Sequence, residues 1–252
     1  MPRIASLLLV TVCLLAAGGA AALAATSIGT AGDDVLNGTP GADHLFGEAG
    51  SDTLNGYEGN DYLEGDGGDD EMLAGAGLDL VLGGTGDDGI DAGSGDDAVY
   101  GGPGVDQVLG GRGRDTLIGQ DGDDNLFGGS GADRLYLGEG INLANGGSGP
   151  DRLYADGGES TLLGASGRDV IVATNGVFLV HGGSGNDRIR TGDEGDRVTG
   201  GSGADGIATG AGDDQVNARD GQRDRVQCGP GDDVAVADPF DILIGCERDA
   251  PR

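Results

Sequence analysis

The sequence predicts an all-β repeat protein of short strands strung between glycine-rich turns. Three observations carry this. From Gly29 through Asn217 the chain divides into nine-residue units without insertion, 21 in all. The eighth place of every unit is aliphatic, running Leu36, Leu45, Leu54, Leu63, Met72, Val81, Ile90 and onward. The fourth place is Gly in every unit but one, where Glu194 stands, and the sixth is Asp in eighteen. A fixed period of this kind marks stacked supersecondary units, each burying its apolar side against the next. The 57 Gly, 4% aromatics and net charge of −30 would suggest disorder in an aperiodic chain. Low-complexity drift does not hold three separate places in phase over such a length.

Within a unit each place has a task. Glycines at the first, second and fourth places suit positive φ and a tight turn. The sixth-place carboxylate emerges from that turn. The last three residues make a short strand whose middle side chain faces one way and whose neighbours face the other. The branched residues at the eighth place fit a pleated, half-buried surface and form the core.

Ahead of the repeats, Arg3, an apolar run from Leu7 to Ala17 and Ala22-Leu23-Ala24 read as a signal peptide over residues 1–25, cleaved near Ala24 or Ala25. The expected localisation is therefore secreted or extracellular. The run is too short and too rich in Gly and Ala for a membrane anchor. Removing it takes Arg3 away and leaves a net charge of −31, with no second apolar run long enough to span a bilayer. All fourteen basic residues are Arg, against 44 acidic ones. That balance argues against nucleic acid, and against anionic membranes after cleavage, as partners.

The units, of which Gly128-Gly129-Ser130-Gly131-Ala132-Asp133-Arg134-Leu135-Tyr136 is the cleanest, resemble the hemolysin-type, or repeats-in-toxin, calcium-binding nonapeptide G-G-x-G-x-D-x-U-x. The resemblance implies a right-handed parallel β-roll, a β-solenoid of about 21 nonapeptides over residues 26–217, two per turn. It also implies calcium between stacked loops, held by sixth-place carboxylates and loop carbonyls. Those carboxylates are Asp34, Asp43, Asp52, Asp61, Asp70, Asp79, Asp88, Asp97, Asp106, Asp115, Asp124, Asp133, Asp151, Asp169, Asp187, Asp196, Asp205 and Asp214. Hard oxygen ligands suit calcium. Softer metals are disfavoured, since the mature chain has only His44 and His181 and no Cys within the repeats.

With two units per turn, odd units stack on odd and even on even at a step of eighteen residues. The three units lacking Asp carry Asn142, Ser160 and Phe178, which are eighteen apart and fall on the odd edge. The even edge is complete from Asp43 to Asp205. Nine gaps between intact loops on the even edge and six on the odd edge give about fifteen calcium ions, carrying about +30. Without them, carboxylates would stack about 4.8 Å apart and repel. Calcium is therefore expected to switch folding on.

Beyond Asn217 the register slips, and residues 218–252 are expected to form a C-terminal cap. Cys228 and Cys246 lie eighteen apart, one roll turn, so that a disulfide is expected to staple it, with Phe240, Ile242, Leu243 and Ile244 closing the core.

Catalytic machinery is not expected. The chain has no Lys for a P-loop and no G-x-S-x-G elbow. Its G-x-G-x-x-G matches, such as Gly84-x-Gly86-x-x-Gly89, are generated by the repeat itself. One outward pattern stands apart. Tyr100, Tyr136 and Tyr154, with Arg134 and Arg152, line the even sheet as a candidate stripe for a glycan or protein partner, or simply as residues suited to exposed strands. The expected function is thus a secreted, non-enzymatic calcium-binding protein. The alternative is an extracellular adhesin or polysaccharide- or cell-wall-binding module in which calcium only stiffens the scaffold.

Overall fold

The computed structural model describes residues 24–248; the signal-peptide reading falls on residues 1–25 and so lies almost wholly outside them. Among the described residues there are 26 strands and no helix. They form two thirteen-stranded parallel sheets, one taking every odd strand and the other every even strand in chain order. The architecture is a parallel β-solenoid.

The register follows the nonapeptide. In the sheet built from even units, Leu45 pairs with Leu63 and Leu63 with Val81. In the sheet built from odd units, Leu54 pairs with Met72 and Met72 with Ile90. Each step is eighteen residues, as two units per turn requires. The eighth-place side chains meet between the sheets and are buried along nearly the whole length. Each buried Leu, Ile or Val contributes on the order of 1.5–3 kcal/mol, so the core is a one-dimensional ladder held turn by turn.

Many strands are longer than the three residues expected. Thr53–Glu58 and Tyr62–Gly67 each run on through the first places of the following unit. The first-place glycine stays in the ladder; Gly47, for example, donates its N–H to the carbonyl of Glu64. This explains a departure from expectation. Positive φ occurs at most second- and fourth-place glycines, but not at the first. First-place glycine gives space in most units, although Ala74 and Ala92 are accommodated at that place. A Cβ on Gly47 would stand 2.5 Å from Oδ2 of Asp52 and 2.7 Å from the carbonyl oxygen of Gly65.

The ladder runs on past Asn217. Ile207 pairs with Val226 and Val216 with Ala235, a step of nineteen that absorbs one inserted residue. Val226 then pairs with Leu243, a step of seventeen. Cys228 and Cys246 are bonded as a disulfide, with Cα atoms 5.1 Å apart. Leu243 packs on the core, whereas Phe240 and Ile244, expected to help close it, are exposed, Phe240 in the turn before Asp241.

Candidate metal-binding rows

The sixth-place carboxyls form two buried rows along the edges where the sheets meet. On the even edge the N–H of Asp43 donates to Oδ1 of Asp61 at 2.8 Å, Asp61 to Asp79 at 2.8 Å, Asp97 to Asp115 at 2.9 Å, and so on to Asp187 and Asp205 at 2.9 Å. On the odd edge the same bonds link Asp34, Asp52, Asp70, Asp88, Asp106 and Asp124. One oxygen of each carboxyl thus stitches its turn to the preceding one.

The second oxygen is left over. From Asp52 onward, Oδ2 of every sixth-place Asp is buried with no hydrogen-bond partner. A buried acceptor without a donor costs about 1–3 kcal/mol, more when charged. Near Gly83, Oδ2 of Asp88 and the carbonyl oxygen of Gly101 converge on one point, 2.4 and 2.3 Å from where a Cβ would stand. The Gly101 carbonyl also accepts the N–H of Gly84 at 3.0 Å, but Oδ2 of Asp88 has no donor, so the two oxygens repel unless a proton or a cation lies between them. This donor set is all hard oxygen, and it fits calcium. Among the described residues no three His, Cys, Asp or Glu side chains form a metal-holding group. An ion here would be held by carboxylates of neighbouring turns together with main-chain carbonyls.

The electrostatics agree. Burial pushes Asp88, Asp97 and Asp151 up to about 7, opposed by the backbone N–H each accepts and reinforced by neighbouring carboxylates. Burial likewise raises Asp79, Asp106, Asp115, Asp169, Asp205, Asp214 and Asp224 to about 6. Desolvation disfavours the bare carboxylate.

Two of the eighteen differ. Oδ2 of Asp34 accepts from the N–H and hydroxyl of Thr30, and Oδ2 of Asp43 from those of Thr39, so both are already satisfied by donors. The odd row is interrupted where the sequence lacks Asp. Asn142 accepts the N–H of Asp124 through its amide oxygen at 2.7 Å. Its Nδ2 lies 3.4 Å from the carbonyl of Gly138 and 3.5 Å from that of Glu139. The amide thus presents a donor to the loop carbonyls where other loops leave them to a cation. Ser160 and Phe178 follow, both buried.

The first place changes in step. It is Gly in all six odd units from Gly29 to Gly119, and then Leu137, Ala155, Ala173, Thr191 and Thr209. Leu137, Ala155 and Ala173 are buried in the core; on the even edge Ala74 and Ala92 take the first place beside intact Asp79 and Asp97, so an Ala there is compatible with the row. The hydroxyls of Thr191 and Thr209 lie against the carboxyls of Asp196 and Asp214 and favour their ionised form, although neither reaches hydrogen-bond geometry.

The structure adds residues that the periodic reading did not assign. Asp224 and Asp241 continue the even row, taking the N–H groups of Asp205 and Asp224 at 2.8 and 3.0 Å. Asp233 continues the odd row, taking that of Asp214 at 3.0 Å. The D-x-aliphatic triplets around them were the available signal, masked by the shift of register. A second, outer row also appears. Fifth-place Asp33, Asp69, Asp87, Asp96 and Asp123 each accept the N–H of the fifth-place residue one turn on, at 2.7 to 3.0 Å. These staple turns together from the solvent side.

The outward stripe is in register. Arg134 pairs with Arg152 and Tyr136 with Tyr154, whose rings stack at 4.9 Å and 10°. Tyr100 lies two strands away, beyond Ile118.

No curated protein sequence matches this one. Among solved structures, one described as a hyperactive, Ca2+-dependent, β-helical antifreeze protein from an Antarctic bacterium superposes with a TM-score of 0.59 at 22% identity, over 84% of this chain and 83% of that one. The likeness shows the fold. The profile of the RTX calcium-binding nonapeptide repeat matches residues 28–63, 49–81, 64–99, 73–108, 100–135, 109–144, 136–171 and 181–216. Repeats matched over well more than half of its length, with a buried acidic ladder in the same register, make this chain a member of the RTX calcium-binding repeat family.

Proposed function

We propose that this is an exported, non-enzymatic protein that folds as calcium enters its two rows, taking up about fifteen ions. The observation that carries the reading is the run of buried Oδ2 atoms without donors. A solenoid core of single aliphatic residues per unit is thin, and it has to close against rows of buried like charges. Each divalent ion replaces a repulsion by two attractions, so its binding free energy becomes folding free energy. Export is supported by the leader-like composition of residues 1–25, and by a disulfide, which persists in oxidising compartments. A non-catalytic role is supported by the use of the sixth-place carboxylates as ion ligands, which leaves them unfit for acid–base work. The in-register Arg and Tyr columns favour a further role as a calcium-stiffened docking face.

The test is a calcium titration of the chelator-treated mature protein followed by far-UV circular dichroism. A coil-like spectrum in chelator, with a cooperative gain of β signal as calcium rises, is expected. A β spectrum unchanged by chelator contradicts the folding switch.

A further inference from the structure

Charge is unevenly spread along the solenoid. Between residues 26 and 111 there is no Arg, and every described Arg lies from Arg112 onward. On the outer face of the even sheet, the column of seventh places reads Arg134, Arg152, Val170, Arg188, Gly206, Arg225 on successive strands. The missing side chain at Gly206 opens a groove of about 430 Å³ between Arg188 and Arg225, flanked by Arg168 and Arg223. Arg152, Arg168, Arg188, Arg223 and Arg225 are exposed. Among the described residues none of these guanidinium groups forms an ion pair or hydrogen bond. The buried carboxyls of Asp187, Asp205 and Asp224 also line the groove; their Oδ1 atoms accept the N–H groups of Asp169, Asp187 and Asp205, and their Oδ2 atoms belong to the row that calcium would fill.

We propose that this strip binds a linear anionic polysaccharide, with carboxylate or sulfate groups seated at the Gly206 groove and the chain running along the Arg column past Tyr154 and Tyr136. Guanidinium groups bind such oxyanions bidentately. The phenol hydroxyls of the stacked tyrosines have no protein partner among the described residues and offer polar contacts to sugar hydroxyls. Shape selects the class. Six strands span about 24 Å, and seventh and ninth places lie about 7 Å apart. That strip suits one extended polymer. It falls far below the roughly 800 Å² per partner of a stable protein interface. Flanking acidic surface on the N-terminal turns repels a stiff duplex, whereas a single flexible chain can stay within the strip.

The proposal rests on the calcium reading in that a folded ladder is needed to hold the column in register. Binding of fluorescent hyaluronate and dextran sulfate to the calcium-loaded protein would be measured by anisotropy, against neutral dextran, poly-L-glutamate and a short DNA duplex. Both acidic glycans are expected to bind and dextran is not. Arg188→Ala with Arg225→Ala should weaken binding at least tenfold, and Arg197→Ala, on the odd sheet, should leave it unchanged. The Arg→Gln pair carries the test if the Ala pair loses its circular dichroism signal. Wild-type affinity in the Arg188/Arg225 variants, or poly-L-glutamate or DNA binding as tightly as the glycans, overturns the proposal. A protein whose spectrum ignores calcium but whose glycan binding still depends on Arg188 and Arg225 defeats the folding switch and leaves this proposal standing.

Discussion

Asp115 shows what one sixth-place residue does. It is fully buried, its Oδ1 accepts the N–H of Asp97, its own N–H goes to Asp133, and its Oδ2 has no donor. Replacing it with Ala should remove a ligand from the gaps on both sides, lowering the calcium stoichiometry measured by calorimetry by about one to two ions. Ser160→Ala, between Asn142 and Phe178 on the odd edge, should leave the stoichiometry unchanged. Equal loss in the two variants would contradict the assignment of the rows. The sixth place was legible in the sequence because its period is strict. The reason for the frequent glycine at the first place was not, since the atoms that crowd a Cβ there include a carbonyl eighteen residues away. The fifth-place staples were hidden for a similar cause: an acid beside another acid looks like one more ligand until its cross-turn N–H partner is seen.

At the scale of the element, the loop changes as a unit. On the odd edge, the first and sixth places change together at Leu137 and Asn142, and Leu137 is buried in the core where the preceding odd loops carry Gly. The eighteen-residue strand register was legible from the three Asp-less units falling on one edge. The triplets at Asp224, Asp233 and Asp241 were visible too, but the membership of these Asp in the two rows was not, since one inserted residue breaks the period while the backbone absorbs it. The disulfide closes the final turns. On the chain-entropy model a loop of its length is worth about 3 kcal/mol. Each solenoid turn is held mainly by its neighbours, so reduction should fray the C-terminal end locally. Limited proteolysis of the reduced, calcium-loaded protein should cut first beyond Asn217, near Val226 and Leu243. Cuts starting near Gly29 would contradict this.

For the whole molecule, the rows make stability depend on what sits between the oxygens. In the calcium-depleted chain, burial raises Asp115 to about 6 and Asp88 and Asp97 to about 7, against about 3.9 when unfolded. The folded state therefore binds more protons than the unfolded state across that window. Its stability is greatest below about pH 4 and is lost as pH rises through 6 to 7. Depleted protein should show more β signal at pH 4 than at pH 8, and calcium affinity should fall as protons compete below about pH 6. More β signal at pH 8 than at pH 4 in the depleted chain would contradict the buried acidic rows. The central claim is that calcium fills a complete row on one edge and an interrupted row on the other. Anomalous difference density from a crystal grown in calcium tests it most directly. Peaks beside Oδ2 in successive gaps of the even row up to Asp205, with none between the loops of Asn142, Ser160 and Phe178, are the predicted result. Even-row gaps without density, or a peak at the Ser160 loop, would contradict it.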